Sequence, residues 1–478
     1  MTVVLAVDVG TTAVKAARLV DGVVVQVEEV PLELSTPRPG WAEQDPDDWW
    51  DGAVAAITRL DVGDADAISV TGQMQDLIPL DAAGRPVRPA ILYSDGRATV
   101  EHDELVAGWG ADWFDAIGGP VDATNVAAKW RWLQRNEPDA VREAALVLLG
   151  GHSVVVQRLC GAVRCDPTTA ATTGLLDLDA GTWWQPAVDE LALPAPELGP
   201  PASPAGWLAS SVASALELPA SIPVFHANGD AVATTLALVG GGGGRPYASL
   251  GTSGWVADVV AEPVEGAIVL PVGDGRLVSI APILTAGGAI DWARDALFGG
   301  LNPGQFDRLA AGACGAQHGV LFLPHLDGVR FPVASAEATG VLVGARRSTG
   351  RGVIAAAVVE GVAHALRPLV ELVAPDADEL AACGGGARSD AALGALADVL
   401  GRPVVRVDDA HAGLLGAAMA AHEGIGAEPP GPVSASERFV PDPARHRIHE
   451  EARLHFDELV PTMQPTFERL AALRHVAR

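Results

Sequence analysis

The chain has 478 residues, 49% of them hydrophobic and 19% charged, and a formal net charge of −28. A length beyond what one hydrophobic core normally serves points to two large domains, and the apolar content excludes a disordered chain. An acidic surface with lysine only at positions 15 and 129 repels phosphate backbones and argues against nucleic acid, while leaving room for a small phosphorylated ligand held by local dipoles and a metal.

Residues 3–9, 13–20 and 23–31 read as three short strands joined by turns rich in Gly, Thr and Asp, an antiparallel meander. Residues 47–60, DDWWDGAVAAITRL, have helical apolar spacing, with Asp47 or Asp48 as the expected cap. Residues 67–75 read as a strand running into a loop, and 125–149 as a helix broken near Pro138. Three strands followed by alternating elements predict a mixed sheet with helices on its faces. YASLGTSGWVADVVAEP (247–263) then echoes LAVDVGTTAVKAARLVDG (5–22): an apolar strand, Gly-Thr-Ser or Gly-Thr-Thr, and a second apolar strand. Two such copies half a chain apart indicate duplicated domains, here 1–225 and 226–478, with the glycine run 240–244 near their junction. Further on, 355–373 is an amphipathic helix, 381–400 reads as strand, glycine turn and helix, and 449–475 as a surface helix.

The apolar stretch around 354–373 is broken by Glu360, His364, Arg367 and Glu371, so no membrane span is expected. Cys160, Cys165, Cys314 and Cys383 form no C-x-x-C pair, and Met1 runs straight into a strand rather than a secretory leader. A reduced, cytoplasmic setting fits both observations.

The chemistry is expected at the strand ends. Asp8 stands one residue before the end of an apolar strand, followed by Gly10, Thr11 and Thr12. A Gly-Thr-Thr turn offers backbone N–H groups and hydroxyls in a tight concavity suited to phosphate oxygens, and a carboxylate beside it can hold hydrated Mg²⁺. Gly251, Thr252 and Ser253 form the second such turn. The run CGGGARSD (383–390) follows a strand and opens a helix, so adenosine could lie against its bare backbone; with no Gly-Lys-Ser/Thr it is not a Walker A loop. Asp230, in FHANGDAVAT, follows a strand at the expected domain junction and could accept a proton from a substrate hydroxyl, although a plain helix cap has the same appearance.

These segments together resemble the FGGY carbohydrate kinases, most closely the xylulokinase branch, over residues 3–425. DVGTTAVK (8–15), WAEQDPDDWW (41–50), GQMQDLIPLDAAGRPVRPAILYSDGRA (72–98), AAKWRWLQRNEP (127–138), NGDAVAT (228–234), SLGTSG (249–254), FLPHLDGVRFP (322–332) and GGGARSD (384–390) occur in the family's order. The resemblance implies an α/β protein of two ribonuclease-H-like domains, of the actin/sugar kinase/Hsp70 type, around an interdomain cleft. It implies ATP-dependent phosphorylation of a sugar, D-xylulose first, with Asp230 as general base and Asp8 serving Mg²⁺ and the transferring phosphate. By position, Gly10, Thr11, Thr12, Gly251, Thr252 and Ser253 would line the phosphates, Gly385, Gly386 and Ser389 the adenosine, and Met74, Gln75, Asp95, Arg97 and Asp230 the sugar. The expected partners are a sugar or polyol and ATP, with no membrane and with room for a homodimer.

The chain departs from the xylulokinase pattern at Gln75, usually His, at Ala231, usually Asn, and at Tyr93-Ser94, usually Trp-Asn. These positions fall at the sugar end. They keep L-xylulose, ribulose and erythritol as alternative substrates, and a sugar-independent ATPase as the rival from another class.

Overall fold

The computed structural model describes residues 1–119, 121–240, 244–331, 334–408 and 410–476. Residues 241–243 of the glycine run and Pro332, the end of the FLPHLDGVRFP segment, lie outside the described residues. The chain forms two compact units. Unit 1 comprises Met1–Ala237, Val269–Val278 and His411–Pro432; unit 2 comprises Leu238–Ile268, Ser279–Ala410 and Val433–Arg478. This division is not the single cut at 225/226 read from the sequence: the segment that carries Asp230 belongs to unit 1, and two later segments return to that unit.

In unit 1 the meander forms as expected, with strands Val3–Val9, Ala13–Val20 and Val23–Pro31. Val3–Val9 also pairs in parallel with Ala67–Gly72, which pairs in parallel with Pro223–His226, and Pro204–Trp207 closes that edge antiparallel. Val3, Leu5, Val7 and Val9 are buried on one face, in a core that also takes residues of helices Pro46–Ile57 and Gly151–Cys160. Val4 and Ala6 are buried on the other face, against helix Ala412–Gly424. A strand covered on both sides has no wet face, which is why its sequence is apolar without alternation.

Unit 2 repeats the plan. Hairpin strands Tyr247–Leu250 and Gly254–Val260 are followed in the sheet by Leu380–Cys383 and Val404–Val407, both parallel in sequence of pairing, and by antiparallel Ala435–Phe439. The hairpin similarity seen in the sequence is therefore a similarity of whole sheets.

Local chemistry explains where elements differ from expectation. The cap of helix Pro46–Ile57 is Asp45, whose side chain accepts from Asp47 N–H, because Pro46 occupies the first helical position. Beyond Pro138 the helical segment ends at Glu143, and Leu146–Gly150 is a strand pairing with Met74–Leu80, the strand found where a loop was expected. The last helix starts earlier, at Pro443, where Asp442 accepts from Ala444 and Arg445 N–H. Helix Arg351–Val373 is long and apolar enough to cross a membrane, but 83% of its apolar window is buried, and it is a core helix of unit 2.

That helix approaches strand Leu321–Leu323 through Gly361, where an added Cβ would lie 2.1 Å from the Phe322 carbonyl oxygen. Backbone cannot yield as a side chain can. Gly361→Ala is expected to destabilise the protein by about 1–3 kcal/mol, read as a lower urea midpoint with unchanged slope.

Candidate active site

The three parallel strands of unit 1 end together: Asp8 is in register with Thr71, and Val70 with His226. Ligand sites in such sheets form beyond the carboxyl ends of the strands. Asp8 sits there, and helix Asp230–Val239 starts just past His226. Burial pushes the Asp8 carboxyl up to about 6, against the pull of Lys15 and His152. Burial, and next the charge of Asp8, push Asp230 up to about 7, with His152 opposing. Two buried carboxyls, one raised further by the charge of the other, make a proton-accepting or cation-holding site. Gly413, at the start of helix Ala412–Gly424, lets that helix close over Asp8; a Cβ there would be 2.8 Å from Asp8 Oδ2.

The turn beside Asp8 is fixed from below. Thr11 Oγ1 donates to Gln73 Oε1 at 2.7 Å, and Gln44 Nε2 donates to the Thr11 carbonyl at 2.8 Å. Gln44 Oε1 in turn accepts from the buried Trp49 indole N–H at 3.1 Å and from Gln73 Nε2 at 3.3 Å. The WAEQDPDDWW segment thus acts on the turn through Gln44 and Trp49. Thr12 stays exposed at the tip, and Gly10 N–H closes the turn on the Ala13 carbonyl at 3.0 Å.

The residues expected at the sugar divide into two groups. Met74 packs its sulfur against the backbone of Gly229, next to Asp230. Gln75 adopts φ +63°, a left-handed conformation that costs energy for a residue with a side chain. Its carbonyl accepts from Lys129 Nζ at 3.0 Å and its amide donates to Thr124 Oγ1 at 3.0 Å. Asp95 and Arg97 are different: both side chains are fully buried. The Asp95 carboxylate takes Arg97 Nε at 2.8 Å, Arg97 Nη2 at 2.7 Å and Ala42 N–H at 2.6 Å, while the guanidinium lies over Trp41 and Trp132. The carboxylate has its donors within the protein, while the guanidinium also pairs with Glu43 and keeps Nη1 buried without a hydrogen bond. Beneath Gln75, burial pushes Asp76 up and Lys129 down, each opposed most by the other's charge.

In unit 2, Gly251, Thr252, Gly385, Gly386 and Ser389 line one cavity of about 520 Å³. Ser253 is exposed on the same turn. The glycines allow backbone to meet backbone: a Cβ on Gly386 would lie 2.8 Å from the Leu250 carbonyl oxygen. Ser389 caps helix Asp390–Leu400 by accepting from Ala392 N–H at 3.0 Å and donates to Asp307, so its hydroxyl is engaged within the protein.

Residues 3–237 match the N-terminal domain, and residues 247–422 the C-terminal domain, of the FGGY family of carbohydrate kinases. The chain belongs to the FGGY family of carbohydrate kinases. This kinase is 31% identical to a xylulose kinase from Escherichia coli over 96% of its own length and 99% of the relative. It is 30% identical to a glycerol kinase from Renibacterium salmoninarum over 88% of its own length and 89% of the relative. A xylulose kinase structure from Rhodospirillum rubrum superposes with a TM-score of 0.90 at 29% identity, covering 98% of this kinase and all of that chain. A gluconate kinase from Lactobacillus acidophilus shares the fold, with a TM-score of 0.88 at 23% identity. The chain is thus an α/β sugar kinase of the actin/sugar kinase fold, a phosphotransferase that uses ATP and a sugar.

Sequence reasoning missed Gln44, Gln73, Asp76 and Gly413. Asp76 was findable by the same signal as Asp8, a carboxylate inside an apolar strand. Gly413 had no local signal, because it meets Asp8 only through the fold. An acid raised from 3.8 to about 7 binds its proton more tightly folded than unfolded, so the folded state loses stability as pH rises between those values. Asp230→Asn removes that penalty. It is expected to raise Tm at pH 8 and to raise it much less at pH 5, measured by calorimetry on the ligand-free kinase.

Proposed function

We propose that this kinase phosphorylates the terminal hydroxyl of a ketose, D-xylulose to D-xylulose 5-phosphate, with Asp230 as the group that accepts the hydroxyl proton. The observation that carries the reading is the pair of raised carboxyls, Asp8 at about 6 and Asp230 at about 7, beside Met74 and Gln75 in one unit. A carboxyl near 7 is half ionised at working pH, matched to taking a proton as the hydroxyl oxygen bonds to phosphorus. The transition state is loose, so orientation of the hydroxyl by Asp230 precedes full proton transfer. The P–O bond to the ADP leaving group breaks as the new P–O bond forms.

Asp8 is the residue that would hold Mg²⁺. Its oxygens have no bonded protein donor among the described residues and keep some solvent access, as a hard cation bound through water requires. When bound, the ion supplies charge neutralisation at the phosphates. In this reading, the Gly10–Thr12 turn of unit 1 and the Gly251–Ser253 turn of unit 2 donate to phosphate oxygens, and Gly385 and Gly386 give adenosine a flat backbone to lie on. The xylulose kinase names of the relatives support the ketose. A hydroxyl-rich alditol or another pentulose is the second reading, because Gln75 turns its amide toward Thr124 instead of presenting an imidazole.

Asp230→Ala is expected to lower kcat by at least about 10³-fold while the ATP dissociation constant stays within about threefold. Turnover at the wild-type rate in this variant would remove the base assignment. In a panel of D-xylulose, L-xylulose, ribulose, erythritol and no sugar, ADP release should be fastest with D-xylulose. A higher kcat/KM for another compound reassigns the substrate, and a rate indifferent to sugar removes the ketose reading.

A further inference from the structure

Under the start of the Asp230 helix lies a buried cluster that the reaction as described does not use. His152, Asp166 and His226 offer one ligand or hydrogen-bonding atom each within 4.8 Å of one another, and all three side chains are buried. Asp166 Oδ1 accepts from Gly229 N–H at 3.1 Å and from Thr169 N–H at 3.0 Å. Asp166 Oδ2 faces His152 Nε2 at 3.1 Å. The other ring nitrogen, His152 Nδ1, faces the Gln73 carbonyl oxygen at 3.2 Å. A carboxylate and a carbonyl only accept, and the ring packs between them, its N–H available to one of the two.

The connections are what make this cluster more than a satisfied core histidine. Gly229 immediately precedes Asp230. Gln73 immediately precedes Met74 and Gln75, and its side chain accepts from Thr11 Oγ1. One buried pair therefore joins three separate segments: the strand ending Pro223–His226 with its helix start, the chain at Gln73, and through Gln73 the Thr11 turn. His226 completes the floor. Its Nε2 contacts Ser153 Oγ at 2.9 Å, its ring lies 4.5 Å from that of His152, and its Nδ1 is buried without a hydrogen bond, 3.8 Å from Asp166 Oδ2.

We propose that His152 and Asp166 form a positioning pair that sets the Asp230 carboxyl against the segments at Gln73 and Thr11, so that the substrate hydroxyl and the transferring phosphate meet it in line. This rests on the reading of Asp230 as the base. Neither residue touches the reacting atoms; they act through Gly229 and Gln73. Since a misplacement of about 1 Å can cost 10²-fold in rate, loss of the pair is expected mainly in kcat, with the contacts assigned to unit 2 keeping nucleotide affinity near wild type.

The test is steady-state kinetics with ATP or ADP affinity measured by calorimetry on the same samples. His152→Ala and Asp166→Asn should each lower kcat by about 30–100-fold, with the nucleotide dissociation constant within about threefold of wild type. The double variant should be no slower than the worse single one, the signature of residues acting as a unit. His152→Gln, whose amide can still donate toward Asp166, should recover part of the lost rate, and it stands in where the alanine variant does not fold. A role in stability alone predicts additive losses that follow Tm, and that result overturns the proposal. Wild-type kcat in His152→Ala beside an inactive Asp230→Ala overturns the positioning role and leaves the base intact. An active Asp230→Ala overturns the base and the positioning role with it. A transition-metal ion that stays with the purified kinase, and whose chelation abolishes turnover, also overturns it, because His152 Nε2 would then be a ligand rather than a donor.

Discussion

Everything in unit 1 depends on three strands stopping at the same level. Val3–Val9, Ala67–Gly72 and Pro223–His226 are hydrogen-bonded in parallel, in a register that puts Asp8 beside Thr71 and His226 beside Val70. Packing on both sides of the sheet buries both faces of Val3–Val9, and that burial gives the carboxylate near its end an environment poor in water. The same low dielectric that raises Asp8 and Asp230 makes each neighbouring dipole count for more. A register slip of one residue would turn Asp8 to the opposite face and exchange Val3, Leu5, Val7 and Val9 with Val4 and Ala6 between the two cores, so the packing that fixes the register also fixes the site.

Unit 2 uses the same sheet plan for a different purpose. Strands Tyr247–Leu250 and Leu380–Cys383 run on into glycines, Gly251 and Gly384, and a cavity lined by Gly251 lies there. Close approach of Gly386 to Leu250 and of Gly287 to the Gly251 carbonyl brings loop backbone against loop backbone. Backbone N–H groups are fixed donors that need no rotamer to be chosen, so such a wall suits phosphates and a flat base. The duplicated architecture has thus diverged in what it presents at the strand ends.

Much of this was legible from the residues. Hairpins spaced by Gly-Thr turns define their own strands, and an acid near the end of an apolar strand announces itself. What could not be read were relations that only folding creates. Asp95 and Arg97 stand two residues apart and are expected at the sugar, and nothing in the sequence shows that they pair with one another in a sleeve of Trp41 and Trp132. Residues 144–149 continue a helical pattern, but strand Met74–Leu80 needs a partner, and pairing with it outweighs local propensity. The His152–Asp166 contact joins positions in different elements, and neither carries a local motif. The extent of unit 1 was hidden for a similar reason: nothing in the sequence of 411–432 signals that it belongs with the first residues of the chain.

That late segment has a consequence for how the molecule comes into being. Helix Ala412–Gly424 covers one face of the first sheet and packs so closely on helix Asp230–Val239 that a Cβ on Gly416 would sit 1.9 Å from the Ala233 carbonyl oxygen. On the ribosome, the opening strands therefore emerge long before the element that roofs them, and Val4, Ala6 and Asp8 wait uncovered while more than three hundred further residues are made, about a quarter-minute or more at ordinary elongation rates. The first half of this kinase is begun early and finished almost last.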